Sequence, residues 1–298
     1  MPDHPMRLLT RWMAPVLALA LLSGCKKSGD DGDGGNGGPG PSPMETRYTA
    51  LGASDAVGVG ASVPCLPFSD CPGGTGYVPR ILAHLRQADP GYRLTNMGLP
   101  GAVMSREVQD IGNAVGIGIN NNFLQHEAPF VPPGTTIVTV FAGGNDANTL
   151  ATALARGAAQ GADPNAWIDA QVAAFAEDYR ELVGIVRGRA PSARLFVLNL
   201  PNFAGLPFGA SRPLRDRQWL QRLSVGFGQA ANALVALDVT VVDLLCNPRS
   251  YQASTYSSDG FHPNDAGYRY LAEETIAAID MGRPPPDASC PQMTLVPR

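Results

Sequence analysis

The stretch Thr135-Thr-Ile-Val-Thr-Val-Phe-Ala142 restricts the fold more than any other part of the chain. It is almost continuously apolar or β-branched, without the polar alternation of a strand that keeps one face in water. Such a run reads as a central parallel strand buried on both faces. It stops at Gly143-Gly-Asn-Asp146. Shorter strands are expected at Tyr48–Leu51, Tyr92–Asn96, Arg194–Leu200 and Val239–Leu244. Helical spacing of apolar residues lies between them. Val78, Ile81, Leu82 and Leu85 mark a helix over Tyr77–Arg86. A looser segment carries a helix around Arg106–Gly112. Ile168, Val172, Phe175, Tyr179, Leu182 and Val186 form the stripe of a long helix over Trp167–Arg187. Arg215–Leu237 reads as a helix interrupted at Gly226 and Gly228, and Gly267–Asp280 as the last. Strands alternating with helices give an α/β domain with a central parallel sheet and right-handed crossovers.

The N-terminus lies outside that pattern. Arg7 and Arg11 precede a short apolar run, Met13–Leu22, followed by Leu22-Ser23-Gly24-Cys25. This is expected to be an export signal over residues 1–24, too short to remain as a spanning helix. Its last four residues match the bacterial lipobox, which makes Cys25 the lipidated first residue of the mature chain. Two or more acyl chains there would hold the protein firmly on a membrane. Residues 25–44 are the lipidated cysteine and a Gly-, Asp-, Ser- and Pro-rich tether with no apolar content to fold it. One domain is expected over residues 45–298. The location implied is the bacterial cell envelope, at the outer membrane or the periplasmic face.

A net charge of −4 gives no basic footprint, which excludes nucleic acid as an expected partner. Four cysteines follow Cys25. An even number in an exported chain predicts disulfides. Three connectivities are possible, and the local pairs Cys65–Cys71 and Cys246–Cys290 are the expected ones. Loop-closure entropy assigns them roughly 2.4 and about 4 kcal/mol. Their spacing does not resemble a zinc site.

In a parallel sheet, sites form in loops beyond the carboxyl ends of the strands. Three unusual stretches lie there. Gly52-Ala53-Ser54 presents a serine at a tight turn after the first strand. Asn96-Met-Gly-Leu-Pro-Gly101 is rich enough in glycine to bring backbone N–H groups near a ligand. Gly143-Gly144-Asn145-Asp146 ends the central strand. A fourth, Asp259-Gly-Phe-His262, follows the last strand. A nucleophilic serine needs a base and a group to orient that base. An Asp-x-x-His arch can provide both, although Asp259 or Asn264 could instead cap the last helix. Asn145 alone could be an Asx-turn.

Together the four stretches resemble the GDSL/SGNH hydrolase family of serine esterases and lipases, from Tyr48 to about Ile279. The resemblance implies a flavodoxin-like, three-layer α/β/α domain with no metal and no organic cofactor; a monomer is expected. It implies Ser54 as nucleophile, His262 as base and Asp259 as the acid that orients it. The implied oxyanion hole is the Ser54 N–H, the Gly101 N–H and the Asn145 amide, with Gly98 as the alternative register for Gly101. The expected reaction is cleavage of a carboxylic ester through an acyl-enzyme. Its substrate is a small-molecule, lipid or glycan ester. O-acyl transfer or carbohydrate deacetylation would use the same residues, and a non-catalytic surface lipoprotein is the rival from another class. Two positions depart from the family pattern: Ala53 stands where aspartate is usual, and Asp55 where leucine is. Loops over residues 61–76, 105–133 and 202–213 are expected to wall the cleft. Their Phe68, Phe123, Phe130, Phe203 and Phe208 either line it or pack.

Overall fold

The computed structural model describes residues 46–297. The expected export signal, Cys25 with its expected lipidation, and the expected tether lie outside them.

Five strands form one sheet: β1 (Arg47–Gly52), β2 (Arg93–Asn96), β3 (Thr135–Phe141), β4 (Arg194–Leu198) and β5 (Thr240–Val242). Every pairing is parallel, and the spatial order is β2-β1-β3-β4-β5. This is the doubly wound, flavodoxin-like order expected. The order reverses between β1 and β3, and that is the switch point where such sheets form their crevice. β3 is central, bonded to β1 and β4, and all of it except Thr136 is buried. Its threonines are tolerated inside because their hydroxyls pair across strands. Thr139 Oγ1 lies 2.8 Å from the Tyr48 hydroxyl and Thr135 Oγ1 lies 3.0 Å from Thr49 Oγ1.

The helices are α1 (Tyr77–Ala88), α2 (Arg106–Ala114), α3 (Phe123–His126), α4 (Gly144–Ala155), α5 (Pro164–Arg189), α6 (Pro207–Ala210), α7 (Leu214–Asn232) and α8 (Asp265–Met281). They flank the sheet in two groups. α1 packs on α8, with Tyr77 stacked on Tyr268 at 6.4 Å. α4, α5 and α7 pack together, with Phe175 of α5 stacked on Phe227 of α7 at 4.0 Å.

Two expectations need correction. Gly226 and Gly228 do not interrupt α7, which runs through both. A Cβ on Gly226 would lie 2.6 Å from Val172 Cγ2, and one on Gly228 3.0 Å from the Leu200 carbonyl oxygen. These glycines mark where α7 comes closest to α5 and to the end of β4. The regular helix stops at Asn232, and Ala233–Leu237 tightens into a 3-10 turn. Also, Gly143-Gly-Asn-Asp146 does not lead into loop. It opens α4, an alanine-rich helix. Gly143 turns the chain there with φ +103°, a left-handed conformation that suits glycine.

Both expected disulfides are present, Cys65–Cys71 and Cys246–Cys290, each with its Cα atoms 5.7 Å apart.

Candidate active site

β1 delivers its last residue, Gly52, into a turn so tight that a Cβ on Gly52 would lie 2.6 Å from Ala56 Cβ. The Ala56 N–H donates to the Ala53 carbonyl and the Val59 N–H to the Ser54 carbonyl. Ser54 is thereby held at the carboxyl edge of β1, 6% exposed. Its Oγ lies 2.8 Å from His262 Nε2, across 208 positions of sequence.

His262 is aimed from its other side. Nδ1 lies 2.6 Å from Asp259 Oδ2. The arrangement that satisfies all three groups has Nδ1–H donating to the carboxylate and Nε2 accepting from the serine hydroxyl. Asp259 is itself fixed: its Oδ1 accepts from the backbone N–H groups of Phe261 and His262 at 2.8 and 2.9 Å, and from Ser257 Oγ at 2.8 Å. The arch bends at Gly260, φ +67°, where a Cβ would lie 2.6 Å from the Phe208 nitrogen. Partial burial pushes the Asp259 carboxyl up, but the ring of His262 and the three other donors pull it down to about 2. It is an anion near neutral pH. Capping of α8 falls to Asn264, whose Oδ1 accepts from the Ala266 and Gly267 N–H groups, which leaves Asp259 free for the histidine.

The glycine-rich turn is tied to the serine turn. Asn96 Nδ2 donates to the Ala56 carbonyl at 2.8 Å, and the Leu99 N–H to the Gly52 carbonyl at 3.0 Å. The two candidate glycines differ. The Gly98 N–H is already donated to Asn96 Oδ1 at 3.0 Å. The Gly101 N–H has no acceptor among the described residues, and neither has that of Ser54. Gly101 takes φ +82° with open space where a Cβ would stand. Asn145, in the first turn of α4 rather than in an Asx-turn, donates one amide hydrogen to the Ala102 carbonyl at 2.9 Å. Its second amide hydrogen remains. Gly101 and Asn145 border one cleft of about 190 Å³, together with Asn120, Asn121, Asn148 and Thr149.

Two buried carboxyls support this geometry, and neither was visible as a site residue in the sequence. Glu127 Oε2 accepts the Gly52 N–H at 3.0 Å, and burial pushes that carboxyl well above the usual range. Asp146 Oδ1 accepts the Met104 N–H at 2.8 Å, just past the Gly101 turn, and burial pushes it up to about 7.

Of the five phenylalanines in the walling loops, Phe123 is core, Phe68 and Phe130 are exposed, Phe203 borders a second cavity, and Phe208 packs edge-on against Phe261 at 4.9 Å. Ala53 is buried with no polar side chain, and Asp55 lines that second cavity. Among the described residues no group of three His, Cys, Asp or Glu side chains is disposed to hold a metal ion.

A hydroxyl, an imidazole and a carboxylate in series, beside free N–H donors on a doubly wound sheet, form the arrangement of a serine hydrolase. The chain belongs to the GDSL-like Lipase/Acylhydrolase family, whose profile matches residues 50–270. Solved structures share the fold, two of them as follows. One is the lipase Lip_vut3 from a goat rumen metagenome, 22% identical with a TM-score of 0.53, covering 80% of this chain and 99% of the other. The second is LAE5, an alpha/beta hydrolase enzyme from the metagenome of Lake Arreo, Spain, 18% identical with a TM-score of 0.50, covering 80% and 97%. No curated protein matches the chain in sequence.

Proposed function

We propose that this chain hydrolyses carboxylic esters through an acyl-enzyme on Ser54. The observation that carries this is the unbroken series Ser54 Oγ–His262 Nε2 at 2.8 Å and His262 Nδ1–Asp259 Oδ2 at 2.6 Å. Ser54 Oγ attacks the ester carbonyl carbon as its proton passes to His262 Nε2, and Asp259 stabilises the imidazolium. The carbonyl oxygen becomes an oxyanion, held by the N–H groups of Ser54 and Gly101 and the spare amide hydrogen of Asn145. Collapse of the intermediate breaks the bond to the alcohol oxygen, which takes the proton from His262. Water then enters, loses its proton to His262 and releases the acid and Ser54.

The test is labelling by a fluorophosphonate and turnover of short-chain p-nitrophenyl esters. Ser54→Ala is expected to abolish labelling and lower kcat by a factor on the order of 10⁴ or more. Asn145→Ala is expected to cost about 10²–10³. Equal inertness of the wild type and Ser54→Ala on a broad ester panel would favour a binding protein instead.

The carboxamides of Asn120, Asn121 and Asn148 beside the oxyanion donors favour a hydroxyl-rich ester over a long-chain lipid. Release of acetate from an acetylated polysaccharide, with no transfer to added sugars, would support deacetylation over acyl transfer. We also propose that the domain works tethered through Cys25. Metabolic labelling with an alkynyl fatty acid is expected to mark the wild type and not Cys25→Ser.

A further inference from the structure

Asp55, the residue after the nucleophile, is the one charged side chain lining a cavity that is otherwise mostly apolar. Five aromatic residues share the lining: Phe141, Phe203, Tyr256, Phe261 and Tyr270. The tyrosine hydroxyls are committed elsewhere. Tyr256 donates to the Ser250 carbonyl at 2.5 Å, and the Tyr270 hydroxyl lies 2.8 Å from Ser250 Oγ. What these residues offer the cavity is ring surface. No side chain donates to the Asp55 carboxylate among the described residues, and its one hydrogen-bonding contact is with its own backbone N–H. Desolvation pushes the Asp55 carboxyl up, with His262 pulling the other way. Arg249 stacks on Tyr270 at 4.5 Å but pairs with Glu273 and Glu274, so it is not the missing counter-ion.

We propose that this cavity binds an ammonium or quaternary ammonium group of the ester substrate, with Asp55 as its counter-ion. A half-buried carboxylate among apolar residues and without a side-chain partner is costly, and a cation brought by the substrate removes that cost. Aromatic faces attract the same cation through their quadrupoles. A purely hydrocarbon group would gain from the rings and leave the carboxylate stranded. Position fits the assignment. Asp55 adjoins Ser54, Phe261 and Pro263 flank His262, and Gly144 precedes Asn145; all four border the cavity. The proposal therefore places the cationic group a few bonds from the scissile carbonyl. Size fits as well. The cavity leaves about 40 Å³ for the centres of water-sized groups. That is room for roughly three of them, which suits a compact head group and is too little for a long chain.

The inference rests on Ser54 being an ester-cleaving nucleophile. The cation could sit on either side of the ester, and two pairs of substrates separate the cases. Butyrylcholine against 3,3-dimethylbutyl butyrate places it on the alcohol. Methyl 4-(trimethylammonio)butyrate against methyl 5,5-dimethylhexanoate places it on the acyl group. In each pair a carbon replaces the nitrogen. The wild type is expected to favour the cationic member of one pair by at least tenfold in kcat/KM. Asp55→Asn and Asp55→Leu are expected to bring that ratio near one, and choline is expected to inhibit wild-type turnover of p-nitrophenyl acetate competitively. A wild type that cleaves p-nitrophenyl acetate but shows no preference in either pair overturns this inference alone. A tenfold preference that survives in Asp55→Leu overturns it too. A wild type inert toward p-nitrophenyl acetate and all four esters overturns the hydrolase reading, and this inference with it.

Discussion

Asp146 stands next to Asn145 and cannot be reached by water. Its Oδ1 takes the Met104 N–H, and its Oδ2 has no donor. Burial raises its pKa from an ordinary 3.8 to about 7. The folded chain therefore keeps this proton through a range in which the unfolded chain has released it. Its contribution to stability is full below about pH 4, declines as pH rises towards 7 and levels off above. Asparagine at this position keeps an acceptor for Met104 and has nothing to ionise. Asp146→Asn is expected to be more stable than the wild type at pH 8 by about 2–4 kcal/mol and to lose that advantage near pH 4. Urea denaturation of both chains across this range measures it, and parallel curves would refute it. Asp259 works in the opposite sense. Held at about 2, it favours the folded state above the ordinary aspartate range, and that contribution fades as pH falls from about 4 and is gone once pH has passed through 2.

At the scale of elements, the tight approach of α7 to α5 depends on Gly226. A Cβ there meets Val172 Cγ2 at 2.6 Å and Cγ1 at 2.9 Å. Gly226→Ala is expected to destabilise the domain by about 1–3 kcal/mol despite alanine's better helix propensity. Val172→Ala on the same chain is expected to restore much of the loss, with a coupling energy above 0.5 kcal/mol in thermal or urea unfolding. From the sequence alone this glycine looked like a break, because local propensity says nothing about what lies across a helix pair. The same limit hid α4. Its first residues, Gly144-Asn145-Asp146, carry turn chemistry, and its body, Ala-Asn-Thr-Leu-Ala-Thr-Ala-Leu-Ala155, lacks a wide apolar stripe. β3, the stripe of α5 and the alternation of strands and helices were legible because periodicity reports burial directly. So was the meeting of Ser54 with His262, through the four unusual stretches taken together, since each alone reads as a turn. Glu127 and Asp146 were not legible. Their part is to hold backbone N–H groups of distant segments, and nothing local marks that task.

At the scale of the molecule, the last turns of the chain brace the wall of the Asp55 cavity. Beyond α8 the chain crosses to Cys290, bonded to Cys246 just past β5. The segment after it is laid against α7 and the loop following β4. Asn202 Nδ2 donates to the Gln292 carbonyl at 2.9 Å, and Gln221 exchanges 2.9 Å bonds with the carbonyl and N–H of Val296. Leu295 Cδ1 comes so close to Gly205 that a Cβ there would lie 2.3 Å away. Asn202 and Gly205 flank Phe203, one of the aromatic residues of that cavity. The two disulfides therefore differ in consequence. Cys65–Cys71 closes a loop six positions long, whereas Cys246–Cys290 spans 44. Loop entropy gives the longer one roughly 4 kcal/mol and the shorter about half of that. Cys246→Ser with Cys290→Ser is expected to lower the unfolding free energy by about 2–4 kcal/mol in urea. It is also expected to raise KM for short esters more than it lowers kcat, since the strap supports a binding wall and touches none of Ser54, His262 or Asp259. An equal loss from opening Cys65–Cys71, or a fall confined to kcat, would show that the C-terminal strap does not shape the pocket.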